Sequence, residues 1–297
     1  MLKTITITTA FVLTSFLAFS QNYEKQFNDL SAKNDTGRQA KVLAAWATAS
    51  PKDPELFIAY FNYYVSKSMT EVVSLDRTKK DEHSFVLTDT GTGKPVAFLN
   101  SSVKYNSELL QKGFDYINQG ISLHTSRLDM RFGKIYMLGK AENYPEFTKE
   151  IVSTIDYGNK INNAWTWKEG KPLENPEQIF LGSLQDYVTT IYNTGDDNLL
   201  PLMRQISEAV IKYYPDHVES LSNIALTYLI AGDYDKTLPY LLKAEEIAPK
   251  DIIVLNNIAE TYKRKGDKTN AKAYYEKVIK YGGKEEAQDA RQKIKGL

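Results

Sequence analysis

The sequence contains no cysteine, and that absence removes several kinds of chemistry at once. Disulfides, thiolate metal sites, a thiol nucleophile and a lipid-modified cysteine are all excluded. Histidine is scarce: the 3 present, His83, His124 and His217, stand far apart. None has a ligand partner three or four residues away, the spacing that metal sites usually show. Net charge is missing too, because 37 basic residues balance 37 acidic ones. No global field therefore gathers nucleic acid or an acidic membrane. Lys263, Lys265, Lys268, Lys272, Lys277 and Lys280 are interleaved with Glu260, Asp267 and Glu276, the pattern of a solvated helix face. No Gly-x-Ser-x-Gly nucleophile elbow occurs. The expectation is a chain that is not an enzyme, with no catalytic residues, no cofactor, no metal and no nucleic-acid partner.

The apolar stretch that stands out lies at the start. Met1–Ser20 carries Lys3, then an apolar and threonine-rich run from Ile5 through Phe19, then Ala18-Phe19-Ser20 before Gln21. This has the order of a secretory signal peptide, cleaved near Ser20, and it is short for a spanning helix. The expectation is an exported protein, periplasmic or extracellular, with no transmembrane segment after cleavage.

What the chain does have is a repeat. Pro215 recurs as Pro249, Leu221 as Leu255, Ile224 as Ile258, Ala225 as Ala259, Tyr228 as Tyr262, and Gly232-Asp233 as Gly266-Asp267, always 34 residues apart. A fixed period of this size marks stacked units, each burying its apolar face on the next. Leu221, Ile224, Ala225 and Tyr228 sit at helical spacing on one face, as do their counterparts. Gly232 and Gly266 stand where each first helix ends and a left-handed residue is needed. On these residues the stretch 215–283 resembles the tetratricopeptide repeat, a helix–turn–helix unit of that length. Second helices carry Thr237, Leu241 and Ala244, then Ala271, Tyr275 and Val278. The tail 284–297 places Ala287, Ala290 and Ile294 on one face with charges opposite, as a terminal capping helix would.

Upstream, 21–214 is a degenerate array of the same kind. Asp35 is placed to cap a helix through Trp46, and Phe57, Tyr60 and Tyr64 fit the template partially. The partner helix, with Gly113, Ile117 and Gly120, arrives only after an insertion at 68–105. Within it, Glu82–Thr88 and Pro95–Asn100 flank Asp89-Thr-Gly-Thr-Gly-Lys94, which predicts a β-hairpin. The glycine-rich turn lacks the Walker spacing, with Pro95 after the lysine, and its Asp-Thr-Gly has no second copy to share a proton. Phe132, Gly133 and Tyr136 restore the template, followed by helices over about 145–164, 176–193 and 197–214. The fold expected is all-α, a right-handed tetratricopeptide-like solenoid of about twelve helices in six pairs plus a cap, carrying a small β-hairpin.

The resemblance implies binding rather than catalysis. First helices of such units line a concave face, and the positions that face a ligand are here Ser222, Leu226 and Leu229, then Ile253, Asn256, Glu260, Lys263 and Arg264. Ser222 and Leu226 occupy the places where one subset of the family grips a C-terminal carboxylate with lysine and asparagine, so that clamp is absent. An apolar strip beside a charged one suits an amphipathic peptide segment of another protein. The alternatives are glycan or small-ligand binding through Trp165 and Trp167, which flank one threonine after Asn162-Asn163, and a hydrolase using the insertion around Asp89.

Overall fold

The computed structural model describes residues 22–79 and 84–297. The expected export signal and His83 lie outside them. Twelve α-helices succeed one another before a terminal one among the described residues: α1 (22–31), α2 (Thr36–Ala49), α3 (Pro54–Ser68), α4 (Ser107–Leu123), α5 (Leu128–Lys140), α6 (Tyr144–Lys160), α7 (Pro176–Tyr192), α8 (Leu200–Tyr213), α9 (Val218–Ile230), α10 (Tyr234–Ile247), α11 (Ile252–Arg264), α12 (Lys268–Tyr281) and α13 (Lys284–Lys295). Side-chain caps set most starts. Asp35, Asp53, Asn106, Asn143, Asp233, Asp251 and Asp267 each accept a backbone N–H of the first turn, satisfying donors that a helix start leaves orphaned. The helices form two compact units, one up to Lys134 and one from Ile135, the division falling inside α5. No described helix is long and apolar enough to cross a membrane.

In the first unit, Phe27, Leu43, Trp46, Leu56, Ala59 and Tyr63 form one core cluster. Trp46 is fully buried because its Nε1 finds a partner, donating to Asp53 at 2.8 Å. α3 and α4 pack as a hairpin although 38 residues of sequence, 69–106, separate them. Two glycines permit the approach. A β-carbon at Gly113 would meet Phe61 O at 3.4 Å, and one at Gly120 would meet Phe57 Cβ at 2.8 Å. Tyr60 stacks on Tyr116 at 4.1 Å, and Tyr64 on Tyr116 at 5.6 Å, further along the same seam.

The insertion contains the expected hairpin, but the expectation missed a strand. It is a three-stranded antiparallel sheet: β1 (Met69–Asp76), β2 (Phe85–Thr88) and β3 (Pro95–Tyr105), in the order β1-β3-β2, with β2 and β3 paired on either side of the Asp89–Lys94 turn. β1 starts directly after α3 and pairs with β3 from Met69↔Tyr105 to Asp76↔Phe98. Asn106 N donates to Ser68 O at 2.8 Å, so the sheet grows from a closed base between the two helices. A second correction concerns α5. Tyr136, expected inside, is 56% exposed, whereas Leu128, Arg131, Ile135 and Leu138 are buried. The template is thus displaced by one residue. Arg127 fixes the start of α5, its buried guanidinium held by Asp129 at 2.6–2.8 Å and by Glu55 at 2.9 Å.

In the second unit each helix from α8 onward packs on its sequence neighbours. Leu221, Ala225, Leu241, Ala244, Val254 and Ile258 make one cluster; Leu255, Ala259, Ala271, Tyr275, Val278 and Ala290 make the next. The second cluster is closed by α13, through Ala290.

Candidate functional site

α9 and α11 occupy equivalent places in their repeats, and both begin at a capped turn. His217 Nδ1 takes the Ser220 N–H at 3.3 Å; in the next unit Asp251 takes those of Ile253 and Val254 at 2.9 and 3.0 Å. Gly232 and Gly266, at φ 77° and 81°, end the turns that follow. Their counterparts with a side chain would be strained there.

The eight predicted binding residues do not share one environment. On α9, Ser222 and Leu229 are buried and Leu226 is half-buried. α7 lies along this side of α9, since Asn223 donates to Gln185 at 2.7 Å. On α11, Ile253 is 69% exposed at the start of the helix, while Lys263 and Arg264 come at its end. Both cations lean on Glu260. Arg264 Nε donates to it at 2.9 Å, Lys263 Nζ lies 3.5 Å away, and the Tyr275 hydroxyl donates at 3.0 Å. Burial would raise the Glu260 carboxyl, but the bonds from Arg264 and Tyr275 and the nearby Lys263 outweigh it and hold it below the usual range. Asn256 accepts from Lys293 of α13 at 3.1 Å. Leu226, Ile253, Lys263 and Arg264 therefore keep surface exposure, the two cations while paired with Glu260, whereas Ser222, Leu229, Asn256 and Glu260 are committed to packing or to internal bonds.

The two tryptophans do not form a joint platform. Trp165 is 1% exposed, wedged between Tyr157 and Phe180 at centroid distances of 5.8 and 5.7 Å. Asn162 and Asn163 supply the reason, turning the chain inward through two consecutive left-handed residues, φ 50° and 54°. Asn163 then donates to the Tyr214 hydroxyl at 2.6 Å, locking the turn. Trp167 alone is exposed, at 38%. Asp89 is a turn residue: its Oδ1 accepts the N–H groups of Gly91 and Thr92 at 3.1 and 2.7 Å and the Thr92 hydroxyl at 2.8 Å. Those bonds hold its carboxyl below the usual range. His124 is bound to Lys52 O at 2.8 Å. No cluster of three or more metal-ligating side chains occurs among the described residues.

Sequence reasoning passed over a recurrent aromatic ladder. Tyr228 stacks on Tyr240 at 6.2 Å and Tyr262 on Tyr274 at 5.8 Å. Arg204 caps the first pair at 4.3 Å and Lys277 the second at 4.1 Å. The signal was present, because Tyr240 and Tyr274 obey the same 34-residue spacing as their partners. A cleft of about 340 Å³ opens at the α7–α8 turn, lined among others by Tyr192, Asp196 and Ile230, and none of the eight candidates borders it.

Comparison with known proteins adds a family. The model of the tetratricopeptide repeat matches residues 218–251 and 253–281. No curated protein matches the chain. Among solved structures it is similar to the C-terminal part of a repeat-containing protein from Cytophaga hutchinsonii, at 14% identity over 91% of this chain and 86% of that one, TM-score 0.46. PilW, described as a widely conserved type IV pilus biogenesis factor, aligns at 11% identity over 91% of this chain and 97% of its own, TM-score 0.39. A repeat protein from Parabacteroides merdae aligns at 14% identity over 93% and 85%, TM-score 0.38.

Proposed function

We propose that this chain, which is a tetratricopeptide-repeat protein, is an exported scaffold that binds another protein or a peptide segment through the first helices of its repeats. The observation that carries the reading is the surface left open on α9 and α11. Leu226 and Ile253 offer apolar contact, and Lys263 and Arg264 a cationic end, placed in the last turn of α11 where the helix dipole favours positive charge. A segment with apolar anchors followed by an acidic residue fits that order. Export rests on the composition of Met1–Ser20. The reading assigns the chain no reaction and no cofactor.

Two measurements test it. Cross-linking in native cells followed by mass spectrometry identifies what the chain holds, and the same experiment is repeated with Leu226→Asp, Ile253→Asp, Lys263→Glu and Arg264→Glu combined. Loss of the main partner is expected; unchanged recovery rules out this face. Leu229, a buried residue, is left intact so that a loss reports on contact rather than on folding. N-terminal sequencing of the protein from its own cells is expected to begin at Gln21, and a chain still starting at Met1 refutes export by signal cleavage.

A further inference from the structure

The cleft at the α7–α8 turn combines an apolar wall with charge that the fold does not use. Ile191, Leu200 and Ile230 supply the wall, and the volume is about 340 Å³. Ile191 and Leu200 are buried and Ile230 is half-buried, so the wall is part of the packed second unit. Three exposed residues join it, Tyr192, Asp196 and Asp197, and no lysine or arginine does among the described residues. Pockets for small molecules span about 300–1,000 Å³, and one at the lower end suits a single side chain presented by a larger body.

Three features give the cleft one sign. α7 ends at Tyr192 with no basic residue in its last turn, the place where the helix dipole favours a cation. Asp196 spends only Oδ1 on the start of the next turn, accepting the Asn198 N–H at 3.0 Å and the Asn198 amide at 2.7 Å. Its other oxygen and both oxygens of Asp197 have no hydrogen-bond or ion-pair partner among the described residues. The Tyr192 ring has no stacking or cationic neighbour among them either. Elsewhere in this unit the chain seats a cation on such a ring, Arg204 over Tyr228 at 4.3 Å and Lys277 over Tyr274 at 4.1 Å.

We propose that this cleft receives an arginine or lysine side chain of another protein. The aliphatic stem lies against Ile191, Leu200 and Ile230, and the cationic head sits among Tyr192, Asp196 and Asp197. Long basic side chains have this divided character, an apolar stem ending in a charge. A neutral apolar side chain leaves the carboxylates without a partner, and an acidic one meets like charge at the negative end of a helix. An exposed carboxylate alone holds a cation weakly, so the wall and the ring must contribute with it. None of Leu226, Ile253, Lys263 and Arg264 lines the cleft, and the site stands apart from the face proposed above.

The test is a methyl-NMR titration of the full-length chain, labelled at isoleucine and leucine, with acetyl-arginine methylamide. The methyls of Ile191, Leu200 and Ile230 are expected to shift, with a dissociation constant in the millimolar range, and the lysine amide to move the same set. Norleucine amide keeps an apolar stem without the charge and is expected to bind about tenfold more weakly or not at all. Asp196→Asn with Asp197→Asn removes both charges while asparagine still caps the turn, and is expected to weaken the arginine probe by about tenfold. Tyr192→Leu is expected to weaken it as well, by taking away the ring. The combined Leu226, Ile253, Lys263 and Arg264 variant described above should bind the probe as the native chain does. Unchanged methyl positions away from the cleft, before any probe is added, separate loss of binding from loss of fold. Absence of shifts at millimolar probe overturns the proposal, as does norleucine binding equal to arginine or undiminished binding by the asparagine pair. Loss of the probe in the combined variant, or a preference for free cadaverine over both basic amides, overturns it too.

Discussion

His217 and Asp251 perform the same task one repeat apart, with chemistry that responds differently to acid. Each starts a first helix by accepting first-turn N–H groups. For His217 this needs the lone pair on Nδ1, and so a neutral ring. Burial lowers its basicity, against the opposing pull of Glu219, whose carboxylate lies 3.4 Å from Nε2. The folded state thus binds the proton more weakly than the unfolded chain. Stability that this group contributes is complete above its ordinary value of 6.5 and is lost as the pH falls from there through the depressed folded value. His217→Asp copies the cap used by the next repeat. It is expected to leave stability at neutral pH nearly unchanged and to abolish the loss below the ordinary histidine range. Urea midpoints for both proteins across that range decide it; parallel curves would mean that the ring does not titrate with folding.

At the scale of elements, the α3–α4 hairpin shows how little room a repeat leaves between its helices. Gly120 is the tightest point, where an added β-carbon lies 2.8 Å from Phe57 Cβ and 3.1 Å from Met130 Sδ. Phe57 Cβ sits next to the backbone and cannot swing aside, so α4 itself must move. Gly120→Ala is expected to destabilise the first unit by about 1–3 kcal/mol, although alanine is the better helix former. Gly182 on α7 gives the control, because it is exposed and nothing lies within 4 Å of its added β-carbon. Gly182→Ala is expected to stabilise by about 0.5–1 kcal/mol. Equal effects of the two changes in urea unfolding would show that the contact at Gly120 is absorbed without cost. This hairpin was legible in advance through its small residues, yet its strands were only half so. Phe85–Thr88 and Pro95–Tyr105 stand out beside a glycine turn, whereas Met69–Asp76 does not, since only Val72 and Ser74 along it are half-buried and so little burial imposes no clean alternation. The displaced register of α5 had a related origin. Tyr136 matched the template by type, but the buried Arg127, held by Glu55 and Asp129, sets the helix start, and no local pattern announces an ion pair between distant elements.

Over the molecule as a whole, legibility follows the repeat. From residue 218 to 281 the period fixes helices, turns, small residues and core together, because each unit must solve the packing of the one before. Binding residues are less legible for the same reason. A position that faces a ligand in one array can face a neighbouring helix in another, as Ser222, Leu229 and Asn256 do here. The same logic governs where the array stops. Ala287 and Ala290 of α13 are buried, and Ala290 joins Leu255, Ala259, Ala271, Tyr275 and Val278 in one cluster. Lys293 ties that helix back to Asn256 of α11 and pairs with Asp289 one turn earlier on α13 itself, and its ammonium lies 5.7 Å from the Tyr275 ring of α12. Removing residues 284–297 uncovers part of that core. The truncated chain is expected to lose roughly 2–4 kcal/mol from the unfolding of its C-terminal unit, by the apolar surface returned to water. It should also self-associate, since a bare repeat end offers the surface on which another repeat would stack. Hydrogen exchange assigns the effect: protection should fall first in α11 and α12 and least in α6 and α7. A uniform loss over all helices of that unit would mean that its repeats unfold as one block rather than by neighbours.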